Sequence, residues 1–476
     1  MKNVICILLA VVLTIGLCAC GKKSKKFESG VLYAGFGRAD ITPTLSVPLG
    51  GYDSTDQRMS DRVLDKLYAT CVAFTDGDET FLLISADAVR SHQDWTNRVK
   101  ARIEKELKVP ATNVIIASSH SHSAPNTNSK HPSMETYVET YVDGCVKAAK
   151  DAMKDRAKTT MYAGSVDTEN MTFVRHYTMS DGTVAGPNFG SFATTITGHV
   201  GNNDPEMILY KLERNGKKDI LLMNFQTHTT LTGGATVTDV SSDYVGVCRD
   251  KIEAETDSLF AFYLGACGNQ TPNSYDVKEN NVMPFADQLP TQDRDYLSYG
   301  TALALYAIEL LPNLTEVEEK AGIQTSSTII TCNTNKQDSD KLIEAQAVVD
   351  VWNTMGRDAG NAEARKYGFA SVYEASGILR QQDNPDTYDV EVYATRIGNM
   401  YFVNAPYEMF SENALYIKEN TPALTMVMTQ SNHAWGYITD KTAFSYKCYE
   451  NFGGTFAEGS GEKLAEAMVN LANNLG

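Results

Sequence analysis

Apolar positions recur along the chain with two different periods, which together predict a mixture of strands and helices. Pairs of short apolar runs separated by turn residues predict three β-hairpins. These are Cys71–Phe74 with Phe81–Ser85, Ile208–Leu212 with Asp219–Phe225, and Val390–Ile397 with Met400–Val403. Further strands are predicted at Asn113–Ser118, Leu259–Leu264, Thr325–Asn333 and Leu424–Thr429. Helical periodicity predicts helices at Trp95–Leu107, Met134–Ala152, Tyr244–Glu255, Tyr299–Leu311, Ser339–Gly368 and Glu462–Leu475. The pattern favours an α/β (mixed α+β) fold with mixed, partly antiparallel sheets flanked by helices.

The N-terminus has a different character from the rest of the chain. Lys2 precedes an apolar run from Val4 to Ala19, as in a secretory signal peptide. The run is shorter than the roughly 20 residues that a spanning helix needs. Its end, Leu17-Cys18-Ala19-Cys20, resembles the bacterial lipobox, in which the cysteine becomes the lipidated first residue. We therefore expect residues 1–19 to be a lipoprotein signal peptide, 20–29 a lipidated Cys20 with a basic tether, and 30–476 a single large domain. A signal that is simply cleaved and an uncleaved anchor are the alternatives.

Charge and cysteine content narrow the possible functions. The formal net charge is −17, which disfavours nucleic acid as a partner. Six cysteines follow the N-terminal segment, and they are scattered without a CxxC pair, so a cysteine zinc cluster is not expected. Disulfides are possible outside the cytoplasm, but the sequence cannot pair them. We expect an exported protein that is lipid-anchored at the bacterial cell envelope.

Two histidines directly follow the predicted strand Asn113–Ser118. On an extended chain the side chains of His120 and His122 would face the same way, into one cleft. This arrangement suits one metal ligand and one proton-transfer group, although surface or hydrogen-bonded histidines would give the same pattern. His228 also follows a predicted strand, and can be a ligand or a structural histidine.

Other candidate residues carry weaker signals by themselves. Glu408 follows a strand, where a carboxylate often marks only the start of a helix. Tyr437, Tyr446 and Tyr449 form a late aromatic cluster that ordinary packing would also explain.

Taken together and in order, the segments of the chain resemble the neutral ceramidase family. The matching segments are GFGRADITP (35–43), GGY (50–52), SSHSHSAP (118–125), DPE (204–206), NFQTH (224–228), SDYVG (242–246), GACGNQTPN (265–273), NAPYE (404–408), and YIT (437–439) with YE (449–450).

The resemblance implies a zinc-dependent amide hydrolase that converts N-acylsphingosine and water to a fatty acid and a sphingoid base. It places one Zn²⁺ ion on His120, His228, Glu408 and Tyr437. It implies a zinc-bound water as nucleophile, with His122 as acid and base. The other catalytic positions that it implies are Arg175, Thr271 and Tyr449, and the substrate-binding positions are Gly51 and Tyr446. The remaining histidines, which are expected to be structural or exposed, are His92, His131, His176, His199 and His433.

The chain departs from the family pattern in two ways. Thr271 replaces the family's active-site serine and Asn269 the preceding aspartate, which would hinder a covalent role because threonine is restricted at χ1. The C-terminal immunoglobulin-like domain of true ceramidases is also not expected here.

Three alternatives to a ceramidase therefore stay open. They are a zinc amidase or esterase acting on a soluble acyl compound, a non-catalytic zinc-binding surface lipoprotein, and a carbohydrate- or peptide-binding lipoprotein without zinc. The expected partners are an N-acyl lipid or other amide substrate and, through the anchor, a membrane. No protein partner is predicted.

Overall fold

The computed structural model describes most of the predicted domain. The described residues are 27–52, 58–186, 196–234, 236–273, 283–291, 295–317, 322–446 and 448–475, without the side chains of Tyr449 and Phe452. The predicted signal peptide and Cys20 lie outside these residues. Within them, none of the helices combines the length and the apolar character needed to span a bilayer.

The strands are distributed along the whole described chain. They are β1 (Tyr33–Asp40), β2 (Arg62–Val63), β3 (Tyr68–Thr75), β4 (Thr80–Ala86), β5 (Val114–Ser118), β6 (Ala157–Asp167), β7 (Thr172–Val174), β8 (Tyr177–Met179), β9 (Val184–Ala185), β10 (Ile196–His199), β11 (Glu206–Arg214), β12 (Ile220–Phe225), β13 (Asp239–Val240), β14 (Leu259–Leu264), β15 (Gln270–Pro272), β16 (Thr315–Glu316), β17 (Ile323–Asn333), β18 (Thr387–Ile397), β19 (Met400–Asn404), β20 (Glu408–Met409), β21 (Thr425–Met428) and β22 (Tyr437–Ile438).

The helices alternate with these strands. They are α1 (Gln93–Leu107), α2 (Ser133–Asp155), α3 (Asp243–Thr256), α4 (Tyr296–Leu310), α5 (Ser339–Met355), α6 (Arg357–Lys366), α7 (Val372–Gln381), α8 (Ser411–Asn420), α9 (Tyr449–Phe452) and α10 (Ser460–Asn473).

Two large sheets form the centre of the fold. In the described residues the larger sheet has the strand order β14-β12-β11-β6-β1-β3-β4-β5, with β16 paired to β6, and the smaller has the order β17-β18-β19-β21. Both sheets are mixed, since β4/β5, β12/β14 and β19/β21 are parallel whereas the hairpin pairs are antiparallel. The expected mixed, partly antiparallel sheets flanked by helices are therefore confirmed.

The fold has four layers: helices, the larger sheet, the smaller sheet, and helices again. Because side chains alternate between the two faces of a strand, each sheet can pack on both sides. One face of the larger sheet packs against the smaller sheet, where Phe74, Tyr210 and Phe402 belong to one buried apolar cluster. On the outer face of the larger sheet, one apolar cluster is shared with α1 and α2 and another with α3 and α4. The outer face of the smaller sheet is covered by α8 and α10. Because strands such as β5, β12 and β19 are buried along their whole length, they end in a water-poor interior, and polar groups placed there need partners.

The three predicted hairpins are confirmed as β3/β4, β11/β12 and β18/β19. The prediction of one continuous helix over Ser339–Gly368 is wrong, because the structure has two helices there, α5 and α6, with a break at Gly356. Gly356 has φ of 86°, a left-handed conformation that favours glycine and ends a helix. The six cysteines after the N-terminal segment are all buried and free in the described structure.

Candidate metal centre and active site

His120 lies in a left-handed turn just after β5. Its φ is 63°, so the expectation of an extended chain through His120 and His122 is wrong. The turn is held because the backbone N–H of His120 donates to the Ala88 carbonyl at 2.9 Å. The Nδ1 atom lies 2.6 Å from the Val89 carbonyl oxygen. A carbonyl only accepts, so Nδ1 carries the hydrogen and Nε2 presents its lone pair to the interior.

His228 is positioned in the same manner three residues after β12. Its backbone N–H donates to the Gln270 carbonyl at 3.1 Å. Its Nδ1 lies 2.6 Å from the Cys267 carbonyl oxygen, which again leaves Nε2 unprotonated. Histidines that bind metals usually donate their second ring N–H to a carbonyl or carboxylate in this way.

Glu408 and Tyr437 are brought together by a short pair of strands. Strands β20 and β22 are parallel, and Glu408 is the register partner of Tyr437. Glu408 therefore belongs to a strand and precedes α8, rather than marking the start of a helix. The pairing explains how two residues from distant segments reach one point in the interior.

The four predicted metal ligands converge. Glu408 Oε2 lies 3.4 Å from His120 Nε2 and 3.3 Å from His228 Nε2, and all three side chains are at most 1% exposed. The Tyr437 hydroxyl lies 3.5 Å from His228 Nε2. Among the described residues, Glu408 Oε2 has no hydrogen bond of acceptable geometry.

These separations match a metal site better than a hydrogen-bonded cluster. Nitrogen and oxygen ligands about 2.0–2.1 Å from a tetrahedral ion lie about 3.3–3.4 Å from one another. Hydrogen bonds from a ring N–H to an oxygen would be shorter, at about 2.7–3.2 Å. A thiol that the sequence did not indicate, that of Cys267, is also close, with the ligand atoms of His120, His228, Cys267 and Glu408 all within 4.8 Å of one another. The buried cluster can therefore hold a metal ion.

Burial and mutual repulsion decide the protonation of the cluster. Burial lowers the pKa of His228 to about 4, and the charge of Arg175 acts in the same direction. Burial also holds the pKa of His122 well below its usual value, with His120 and His228 adding to the effect. Burial would raise the pKa of Glu408, but the positive charge and hydrogen bonds of His120 and His228, in the states in which those rings are protonated, outweigh it and hold that pKa well below its usual range. Neutral imidazoles and an ionised carboxylate are the states that metal binding requires.

His122 lies beside the predicted metal ligand His120 and in contact with Gly51. Its Nε2 is 3.3 Å from His120 Nε2, so the two predicted histidines do meet, although through the turn and not along a strand. The ring of Tyr52 packs edge-on against it at 4.9 Å between centroids. A Cβ on Gly51 would come within 2.2 Å of His122 Cγ, and Gly51 has φ of 92°. Gly51 therefore permits the position of His122 by lacking a side chain.

Arg175 lies in the turn between β7 and β8, with its guanidinium directed at the cluster. Its Nη2 donates to the Tyr437 hydroxyl at 3.2 Å and to the Gly268 carbonyl at 2.9 Å. The same Nη2 lies 3.1 Å from Glu450 Oε1, on a side chain that is fully buried. The guanidinium thus joins a predicted metal ligand to a buried carboxylate.

Sequence reasoning missed the contribution of Glu450 and His176. Glu450 was only part of a matched segment, and His176 was expected to be structural or exposed. His176 Nε2 lies 3.4 Å from Glu450 Oε1, and its Nδ1 is hydrogen-bonded to the Tyr446 hydroxyl at 2.8 Å. Tyr446 therefore connects to the predicted metal ligand Tyr437 through His176, Glu450 and Arg175. The nearness of His176 to Arg175 in the chain was the available signal.

For two predicted catalytic residues, Thr271 and Tyr449, the structure describes no side-chain contact with the cluster. Thr271 is half-buried in β15, next to Gln270, whose carbonyl holds the backbone of His228. Within the described structure its hydroxyl makes no hydrogen bond. The backbone of Tyr449 begins α9, but its side chain lies outside the described part of the structure.

Comparison with known proteins agrees with this architecture. The family model described as neutral/alkaline non-lysosomal ceramidase, N-terminal, matches residues 32–276. A solved ceramidase complexed with C2 is similar in fold, with a TM-score of 0.68 and 15% identity, over 94% of this chain and 75% of that chain. A neutral ceramidase from Pseudomonas aeruginosa has a TM-score of 0.65 and 15% identity, over 94% of this chain and 74% of that chain. None of the curated proteins matches the chain.

The fold and the family match together define a ceramidase-like hydrolase. The chain belongs to the neutral/alkaline non-lysosomal ceramidase family.

Proposed function

We propose that the chain is a zinc-dependent hydrolase that cleaves the amide bond of an N-acyl lipid of the ceramide type. The products are a fatty acid and a free long-chain amine. The observation that carries the proposal is the convergence of His120, His228 and Glu408 in the interior, with the Tyr437 hydroxyl beside them. Membership of the ceramidase family supports the choice of reaction.

The donor set suits zinc. Two imidazole nitrogens and a carboxylate oxygen are common Zn²⁺ ligands in catalytic sites, where a further position stays open. When bound, Zn²⁺ would supply Lewis acidity and lower the pKa of a water from 15.7 to about 7. The chain's own contribution is to hold these ligands at the correct separations and in the correct protonation states.

His122 is placed to move the protons of the reaction. Its pKa lies well below the usual value because of burial and the neighbouring imidazoles, so the ring is neutral and can accept a proton at neutral pH. In the reaction an oxygen of water bonds to the acyl carbon, the C–N bond breaks, and the departing nitrogen gains a proton. His122 would take up the proton of the water and deliver a proton to that nitrogen.

Arg175 is placed to stabilise negative charge on the acyl oxygen. Its guanidinium is directed at the Tyr437 hydroxyl, at the edge of the candidate metal centre. Preorganised donors aimed at a developing oxyanion typically contribute about 3–4 kcal/mol each. Because Glu450 also contacts this guanidinium, the donor is held in place before substrate binds.

The test is hydrolysis of a fluorescent ceramide by the purified mature protein, measured before chelation, after chelation, and after zinc is added back. We expect activity that the chelator abolishes and zinc restores. His120→Ala serves as the matched inactive control. Turnover that is insensitive to chelation and equal in His120→Ala would overturn the proposal.

A second candidate is hydrolysis of a soluble N-acyl or O-acyl compound at the same centre. The observation that favours it is the half-buried Thr271 at the position of the family's serine, since the added methyl narrows that position. Short-chain soluble amides and esters form the second arm of the same assay. A kcat/KM for a soluble compound that clearly exceeds that for ceramide would favour this candidate.

We also propose that the chain is exported and anchored at the cell envelope through a lipid on Cys20. The motif Leu17-Cys18-Ala19-Cys20 after an apolar run supports this. The expected result is a membrane-bound mature protein whose first residue is a lipidated cysteine by mass spectrometry. A Cys20→Ala chain that fractionates with membranes in the same mature form would contradict it.

A further inference from the structure

A second cluster of metal-ligating side chains lies next to the candidate metal centre. It consists of His176, Cys448 and Glu450, whose ligand atoms all lie within 4.8 Å of one another. All three residues are buried. His176 lies in the turn between β7 and β8, Cys448 caps the N-terminus of α9, and Glu450 lies in the first turn of that helix.

The separation of the ligand atoms repeats that of the first cluster. His176 Nε2 lies 3.4 Å from Glu450 Oε1, as His120 Nε2 does from Glu408 Oε2. Within the described residues, neither His176 Nε2 nor Glu450 Oε2 has a hydrogen-bond partner. A buried polar atom without a partner has lost its hydration without compensation, and the penalty is larger for a carboxylate oxygen. A bound cation would remove this cost at both atoms.

The surroundings of His176 have the form expected around a metal ligand. The Tyr446 hydroxyl lies 2.8 Å from Nδ1, so the ring can donate there and present its Nε2 lone pair to the cluster. Such a partner on the second nitrogen fixes the ring and its tautomer. Arg175 and His176 Nε2 both approach Glu450 at Oε1, and Oε2 has no hydrogen-bond partner among the described residues.

We propose that His176 Nε2, Cys448 Sγ and a carboxylate oxygen of Glu450 form a second site for a divalent cation of intermediate softness, with Zn²⁺ as the best match. Nitrogen, thiolate and carboxylate together are a usual zinc donor set. Binding would release the thiol proton of Cys448 to solvent. The thiolate and the carboxylate would then balance the two positive charges of the ion.

The site would tie the Arg175 turn to the start of α9. His176 adjoins Arg175 in the chain, whereas Cys448 and Glu450 belong to the N-terminal end of α9. An ion that joins them would hold Arg175 against Tyr437, and its role is therefore positioning rather than catalysis. This inference goes beyond the proposed function, since it adds a second ion to the single zinc that the reaction needs.

The test is metal stoichiometry on the full purified chain, loaded with Zn²⁺, freed of loose metal by gel filtration, and measured by elemental analysis. We expect about two ions per chain for the wild type and about one each for Cys448→Ser and His120→Ala. The double variant should hold none. Cys332→Ser, a buried cysteine in β17, is the matched control and should keep two. A wild-type chain with one ion that Cys448→Ser does not remove would overturn the inference.

A spectroscopic experiment keeps the test valid if Cys448→Ser is poorly folded. In the His120→Ala chain loaded with Co²⁺ instead of zinc, the second site predicts a thiolate-to-cobalt charge-transfer absorption in the near ultraviolet. The absorption should disappear in His120→Ala/Glu450→Gln, in which the thiol is retained, and persist in His120→Ala/Cys267→Ser. No absorption in His120→Ala, or loss of it only with Cys267→Ser, would overturn the inference. Because every chain compared lacks His120 and the readout is an absorption and not turnover, these outcomes are independent of the proposed hydrolase function.

Discussion

Gly51 and the imidazole of His122 are in such close contact that no side chain can be added between them. A Cβ at Gly51 would come within 2.2 Å of His122 Cγ and 2.5 Å of His122 Nδ1. A residue that the sequence suggested as part of a substrate pocket therefore also sets the position of the proposed proton-transfer group.

Gly51→Ala is expected to lower kcat/KM for the hydrolysed amide by at least about tenfold, while the bound metal is retained. The methyl group would displace His122, and a displaced general base loses a large part of its about 10²–10⁴-fold contribution. Gly182→Ala is the matched control, since Gly182 also has positive φ, of 81°, but no atom within 4 Å of an added Cβ. Equal activity losses in the two variants would indicate that backbone strain alone is responsible.

His120→Ala is expected to remove one bound ion per chain and to reduce turnover to background. The substitution deletes one of the two imidazoles that face Glu408 Oε2. The buried negative charge of Glu408 then has fewer favourable interactions to offset its loss of hydration. Elemental analysis and the ceramide assay measure the two effects. His131→Ala, at a half-buried histidine bonded to Ser133, should change neither, and retained metal with full activity in His120→Ala would refute the assignment.

Thr271→Ala is expected to reduce kcat by up to about 100-fold without loss of metal, if the hydroxyl only donates a hydrogen bond to the reacting acyl group. Thr271→Ser should stay close to the wild type, because it keeps the hydroxyl and removes a methyl. Complete inactivation of Thr271→Ala with the metal retained would instead indicate a covalent role for the hydroxyl.

Lys100→Met is expected to stabilise the fold near neutral pH. Lys100 is buried in α1, with its Nζ 5.7 Å from the centroid of the Tyr393 ring, and burial lowers its pKa to about 8. In the unfolded chain the group keeps its usual pKa of about 10.4, so the unfolded state binds the extra proton between these values. The wild-type free energy of unfolding should therefore increase with pH from about 8 to 10.5, by about 3 kcal/mol at most, since each pKa unit corresponds to 1.36 kcal/mol.

Urea unfolding of both chains at pH 7 and pH 10 measures this effect. Lys100→Met should lack that pH dependence and be the more stable chain at pH 7. Lys154→Met, at a side chain that is 77% exposed, is the control and should follow the wild type. A Lys100→Met chain that is less stable at pH 7 would show that Lys100 is held charged by a favourable interaction.

The hairpins were predictable because turn residues and alternating apolar positions are local signals. The register Thr75↔Thr80 follows from a short turn that the sequence displays. The parallel pairing of β4 with β5 does not, because the two strands are joined by a long crossover that contains α1. The break at Gly356 was visible as a glycine but was outweighed by the helical periodicity on both sides. Strand β6 was not predicted, because its exposed and half-buried positions give no long apolar run.

The candidate site was only partly predictable from the residues themselves. His120 and His122 were expected to meet on an extended chain, yet they meet because His120 adopts φ of 63°, which no periodicity reveals. The convergence of Glu408 with Tyr437 depends on the pairing of two short strands from distant segments. Only the likeness to a family indicated these ligands in advance. The positions of Cys267 and of the His176–Glu450 pair depend on tertiary packing, and the one local signal for them was that His176 adjoins Arg175 in the chain.

The two-residue pairing of β20 with β22 affects when an ion can be loaded. His120 and His228 follow strands of the larger sheet, whereas Glu408 and Tyr437 arrive from the final part of the polypeptide. No complete coordination shell therefore exists until that last part has docked. Under the proposed export, a chain that crosses a membrane in an extended form could not carry the proposed metal along. The ion would then have to be acquired in the compartment where folding is completed.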